Sequence, residues 1–107
     1  MSVARRAPAA PRHLSDGAKK WWREVTAEYE LEPHQRKLLQ AAAEAWDRLQ
    51  QARSALAKHG LTYEDRLGNP RARPEVAIER DARIAFGRLV RQLRFDDDST
   101  PPPPEDY

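Results

Sequence analysis

The chain has no cysteine, which excludes disulfides and thiolate metal sites. Histidine is scarce: His13, His34 and His59 are the only three, and no two stand at a ligand spacing, so neither metal nor other cofactor is expected. No apolar run approaches the roughly 20 residues that span a bilayer. The opening "MSVARRAPAAPRH" lacks the apolar stretch of a secretory signal. A soluble, cytoplasmic protein with no membrane contact is the resulting expectation. The patterns of common catalytic sites are missing too: there is no glycine-rich phosphate loop, no nucleophile elbow and no His-Glu metalloprotease motif. Ser15, Ser54 and Ser99 have no neighbouring base, and Glu24 with Lys20 four residues before it reads as a surface pair. The chain is expected to be non-catalytic.

Charge is present in quantity but unevenly placed. The 107 residues carry a net charge of +2. The first fourteen contain Arg5, Arg6 and Arg12 and no acid, whereas residues 95–107 contain Asp96, Asp97, Asp98, Glu105 and Asp106 and no base. Such asymmetry fits a polyanion at one end, and a basic partner or mere solubility at the other. Residues 1–13, rich in Ala, Pro and Arg, read as a flexible basic arm. Residues 96–107 read as a disordered acidic, proline-rich tail, stiffened into polyproline II at 101–104. Between them, residues 14–95 fit one helical domain.

Hydrophobic spacing predicts three helices. In the first, over about 15–31, Ala18, Trp21, Trp22, Val25 and Tyr29 follow helical spacing after Ser15 as N-cap. Pro33 opens the second, about 33–59, and Gly60 ends it. Its Leu38, Ala42, Ala45, Leu49, Ala52, Leu56 and His59 alternate steps of four and three, a heptad seam widened on one side by Leu39, Trp46 and Ala57. The third runs from Pro74 to about Arg94, with Ile78, Ala82, Ala85, Leu89 and Gln92 on one stripe and Phe86, Val90 and Leu93 beside it. Helices two and three are expected to pack as a long antiparallel hairpin, the alanines allowing close approach.

A simple link between helices needs only about 2–8 residues, yet residues 61–73 intervene here. Leu61 and Tyr63 alternate with Thr62 and Glu64, and Gly68-Asn69 suits a tight turn. A short β-ribbon or an ordered loop at the hairpin tip is expected.

Arg5, Arg6 and Arg12, then Lys19, Lys20 and Arg23 on helix one, then Arg36 and Lys37 at the start of helix two, are candidates for phosphate contact; a solvated face is the plainer reading of the same helix-one residues. Trp21 and Trp22 point about 100° apart on a helix and are expected not to share one narrow core. With Trp46 they suggest burial between subunits, where aromatics are enriched. Leu39, Leu49, Leu56 and Phe86 join that candidate interface, as do Arg66, Arg71, Arg73 and Arg83. The arginines are expected to meet acids of a neighbouring subunit, among them Glu44, Asp47, Glu75 and Glu79; for Arg66, Arg71 and Arg73 DNA is the alternative, and Glu64 and Asp65 of the insert favour the neighbour.

Taken in order, Leu14 to Trp22, Leu31, Ala41 to Ala45 with Asp47-Arg48, Gly60, Gly68 with Asn69-Pro70, Arg73-Pro74, and Arg83 to Leu93 resemble the small terminase subunit of tailed double-stranded DNA bacteriophages, over about residues 14–98. The resemblance implies a ring-forming homo-oligomer built through the helical hairpin, without catalysis of its own. It implies binding to viral DNA at the packaging start and recruitment of the large subunit, which carries the ATPase and nuclease, in the host bacterial cytoplasm. Many relatives end in a Gly-Leu-Ser-Pro-x-x-Arg segment; here "RFDDDSTPPPPEDY" stands instead, and that tail could dock the large subunit or serve only solubility. A small dimeric regulator built on a helical hairpin, without a packaging role, is the competing reading.

Overall fold

The computed structural model describes residues 7–93 and Pro104. The elements follow as α1 (Asp16–Glu28), α2 (Pro33–His59), β1 (Thr62–Glu64), β2 (Pro70–Ala72) and α3 (Pro74–Gln92). The expectation of a mainly helical chain, with a long hairpin carrying a short ribbon at its tip, is met. The further expectations for Arg5, Arg6, Arg94 and the tail, including the polyproline stretch at 101–104, fall on residues outside the described ones, Pro104 excepted.

Local chemistry accounts for the boundaries. Ser15 Oγ accepts from Ala18 N–H at 3.1 Å and caps α1. α1 stops at Glu28, three residues earlier than expected, because Tyr29 is extended (φ −121°, ψ 137°). The chain must reverse before Pro33, and the residue before a proline is pushed out of helical geometry; Glu32 is accordingly extended (φ −68°, ψ 159°). Glu24 and Glu28 also sit at the negative end of the helix, where anions oppose its dipole. Gln35 Oε1 accepts from Glu32 N–H at 2.8 Å, which fixes the start of α2. At the other end Gly60, at φ 83°, donates its N–H to the Leu56 carbonyl at 2.8 Å.

α1 lies across the first half of the α2–α3 hairpin, and their shared core contains Leu14, Ala18, Trp21, Trp22, Val25, Leu39, Ala42, Ala43, Trp46, Leu49, Ala82, Phe86 and Leu93. Phe86 sits between two tryptophans, 5.6 Å from the Trp21 ring centre and 5.5 Å from that of Trp46, both tilted. Such aromatic contacts contribute about 0.5–1.5 kcal/mol beyond area burial. The seam of α2 is rotated relative to expectation. Leu39, Ala43 and Trp46 are fully covered because α1 packs on their side, while Leu38, Ala45 and Leu56 are only half-buried and His59 and Ala57 are exposed.

The tryptophan expectation requires correction. Trp21 and Trp22 are 2% and 3% exposed within a single chain. They do point apart, but each direction is covered: Trp21 meets Phe86 of α3, while Trp22 donates Nε1–H to the Pro8 carbonyl at 2.8 Å. The segment before α1 supplies the second wall, which the helix count alone leaves out.

Candidate assembly and nucleic-acid surfaces

The segment from Ala7 to Ser15 is laid against α1 and α2. His13 Nε2 lies 2.7 Å from Glu44 Oε2. Asp47 accepts from Ser15 N–H at 2.8 Å and also from the Ser15 hydroxyl. Gln40 is the chief cause holding the Glu44 carboxyl below the usual range, through a 3.1 Å bond from its Nε2, with His13 adding to it against the cost of burial. These ties commit Glu44 and Asp47 within the chain. They were expected to receive arginines of a neighbour; nothing in the residue spacing announces their actual partners.

The same correction holds for the other intersubunit acid that finds partners here. Glu79 takes Arg53 of α2 at 3.2 Å, bridging the hairpin, and Arg83 at 3.7 Å one turn on. Arg80 pairs with adjacent Asp81 at 3.2 Å. In the ribbon, Arg71 is held by Asp65 at 2.9 Å. Arg73 Nε donates to the His59 carbonyl at 3.2 Å, and its guanidinium lies 5.9 Å from the centre of the Tyr63 ring. Arg73 is thus a cation at the carboxyl end of α2, where the helix dipole favours one. Arg71 and Arg73, expected at a subunit boundary, have local work. Arg66 is exposed at the tip.

Asp65 is the residue that organises the ribbon, and the alternation of the segment conceals it. Its Oδ1 accepts from Leu67 N–H and Asn69 N–H, both at 2.9 Å, and its Oδ2 receives Arg71. An Asp followed by Gly-Asn three residues later is the available signal, since Asp side chains bond the backbone of tight turns. The Asp65 carboxyl lies below the ordinary carboxylate range, held first by the Asn69 N–H and next by Arg71. A depressed folded value means the stabilisation is present above the unfolded pKa of about 3.9 and is lost as pH falls through the folded value. Acidification below about pH 4 is expected to loosen the tip before the helices. The Leu67 and Asn69 amide resonances will report it, and Asp65→Asn, which keeps one acceptor oxygen, will abolish that acid dependence.

The candidate phosphate-binding residues are only partly brought together. Lys19, Lys20 and Arg23 share the solvent side of α1, opposite Ala18, Trp21, Trp22 and Val25. That side also holds Asp16, Glu24 and Glu28, and Lys20 lies 4.0 Å from Glu24, so bases and acids are balanced there. Arg36 is half-buried and lines a cleft of about 480 Å³ with Glu28, Glu30, Ala7 and Pro8. Arg12 and Lys37 are exposed. The later part of α3 carries the exposed Arg83, Arg88 and Arg91, and residues 82–92 contain no acid, although Glu79 one turn before holds Arg83.

Leu39, Leu49 and Phe86, the other interface candidates, are at most 1% exposed. The unpartnered apolar surface lies elsewhere. Leu61, Tyr63 and Leu67 of the ribbon and Ile78 and Ile84 of α3 are the exposed large hydrophobic residues among those described. Among the described residues no helix is long and apolar enough to cross a membrane.

The model of one protein family, described as phage terminase, small subunit, matches residues 18–99. No curated protein and no solved structure matches the chain.

Proposed function

Because the chain belongs to the phage terminase small-subunit family, we propose that it acts in viral genome packaging as a non-catalytic subunit that forms a homo-oligomeric ring, binds double-stranded viral DNA at the packaging start and recruits the large, ATPase- and nuclease-bearing subunit in the host bacterial cytoplasm. The observation that carries this reading is the extent of the match, which takes in nearly all of α1, the whole hairpin and its ribbon. The exposed apolar residues Leu61, Tyr63 and Leu67 of the ribbon support assembly, since exposed apolar surface gathered on one short segment marks an interaction site.

DNA contact is assigned to two sets of residues: the sequence candidates Arg5, Arg6, Arg12, Lys19, Lys20, Arg23, Arg36 and Lys37, and Arg83, Arg88 and Arg91 of α3, of which Arg83 also holds Glu79. Each lysine or arginine that neutralises a phosphate releases counterions, so affinity falls with salt at a slope of about 0.9 per contact. Replacing Lys19, Arg23 and Lys37 together by Ala is expected to weaken binding to duplex DNA at least about tenfold at moderate salt and to flatten the salt slope by about three. A gel-shift titration at several salt concentrations measures both, and the Arg83, Arg88 and Arg91 triple variant tests the second set in parallel. Wild-type protein that binds neither DNA nor its cognate large subunit in a pull-down would defeat the packaging reading.

A further inference from the structure

We infer that the ribbon tip of one copy seats in a groove between α2 and α3 of the next copy, with Leu67 as the inserted side chain. The inference rests on the assembly reading above and adds the two surfaces that meet.

The ribbon is ordered but not packed. All six of its strand residues are exposed, and an isolated two-stranded ribbon is only marginally stable in water. Its shape is nevertheless set in advance: Thr62 pairs with Ala72, Tyr63 with Arg71 and Glu64 with Pro70, Asp65 ties the turn, and Arg73 clamps the base to α2. Preorganisation of this kind lowers the cost of binding. On it Leu61 is 63% exposed, Tyr63 43% and Leu67 84%.

The receiving groove has a volume of about 580 Å³ and is lined by Ala45 and Arg48 of α2 with Ile78, Asp81, Ala82 and Ala85 of α3, and by Glu44. Alanines on facing helices leave a shallow, open groove, and Ile78 remains 39% exposed at its wall. The charges can pair across the contact: Glu64 and Arg66 are exposed near Leu67 in sequence, and at the groove Arg48 can receive Glu64 while Asp81, which already holds Arg80 at 3.2 Å, can share its carboxylate with Arg66. A small-residue floor, an apolar knob and pairable rim charges are what such a contact between copies needs.

The contact is between chains. Arg48 precedes the end of α2 by eleven residues, about 16 Å of helix, and the Arg73 clamp holds the ribbon at that far end. Ribbon and groove are different surfaces, so each copy uses one of each and the interaction is heterologous. Such contacts propagate and close into a ring when the rotation permits.

The absence of cysteine makes the test direct. Separately prepared Leu67→Cys and Ala85→Cys chains, mixed and mildly oxidised, are expected to form a disulfide-linked pair of one chain of each kind. Leu67→Cys mixed with Ser54→Cys, an exposed position of α2 away from the groove, is expected to give none. Leu67→Asp, at a site too exposed to disturb the fold, should keep its helical circular dichroism yet need at least tenfold higher concentration to assemble in native mass spectrometry. A dominant Leu67-to-Leu67 disulfide, or an unchanged assembly in Leu67→Asp, overturns the inference. Wild-type assembly without the Leu67–Ala85 link overturns the inference alone and leaves the assembly reading standing, whereas a wild-type monomer at high micromolar concentration overturns both.

Discussion

Phe86→Ala is expected to destabilise the chain by about 3–5 kcal/mol, a large part of the roughly 5–15 kcal/mol that holds a domain of this kind together. Phe86 is 1% exposed and is a contact through which α3 reaches both α1 and α2, by Trp21 and Trp46. Truncation removes the transfer energy of the ring and leaves a cavity walled by two tryptophans, which are too large and too constrained to collapse into it. Urea unfolding followed by tryptophan fluorescence measures the loss, and the native-state fluorescence should change as well because the ring is the neighbour of two fluorophores. Phe86→Leu, which retains most of the volume, should cost markedly less. A loss below about 1 kcal/mol for Phe86→Ala would mean that the three helices do not depend on this contact.

The features legible in the sequence are those encoded by residues with one dominant physical effect. Pro33 and Gly60 place the ends of α2 at the expected positions, because a proline suits a first helical turn and a left-handed terminal residue suits only glycine. Pro74 likewise starts α3. What was not legible depends on contacts between distant segments. The rotation of the α2 seam toward Leu39 and Trp46 follows from where α1 lies, and the fit of Trp22 follows from a backbone carbonyl at Pro8, fourteen residues earlier. The ion pairs show the same limit. Arg71 and Arg83 meet the carboxylates of Asp65 and Glu79 within the chain, and His13, Ser15 and Arg53 reach Glu44, Asp47 and Glu79 across 31, 32 and 26 residues, separations that spacing does not encode. For the same reason the large apolar residues Trp21, Trp22, Trp46, Leu39, Leu49 and Phe86 belong to the chain's own core, while the exposed apolar set at the tip is Leu61, Tyr63 and Leu67. In the candidate DNA surface, helical spacing did gather Lys19, Lys20 and Arg23, but could not reveal that Arg36 lines a cleft with Glu28 and Glu30.

Gly60→Ala is expected to cost about 1–3 kcal/mol although the added methyl group touches nothing. A Cβ built at Gly60 has no heavy atom within 4 Å, so neither packing nor a clash with a neighbour enters. The penalty is confined to the backbone: at φ 83° and ψ 179° the residue occupies a region open essentially to glycine alone. The substitution can relieve this only by rotating the peptide between α2 and β1. That rotation would displace the Arg73 guanidinium from the His59 carbonyl and Tyr63, the contacts that aim the ribbon. Two readouts therefore separate. The loss in unfolding free energy reports the strain, and the loss of assembly in native mass spectrometry reports the misdirected tip. Gly68→Ala, also at positive φ (81°) and also with open space around it, strains only the turn itself. It should lower stability less while leaving the base of the ribbon in place. If Gly60→Ala proved as stable and as fully assembled as the wild type, the direction of the ribbon would have to be set by something other than the backbone at the end of α2.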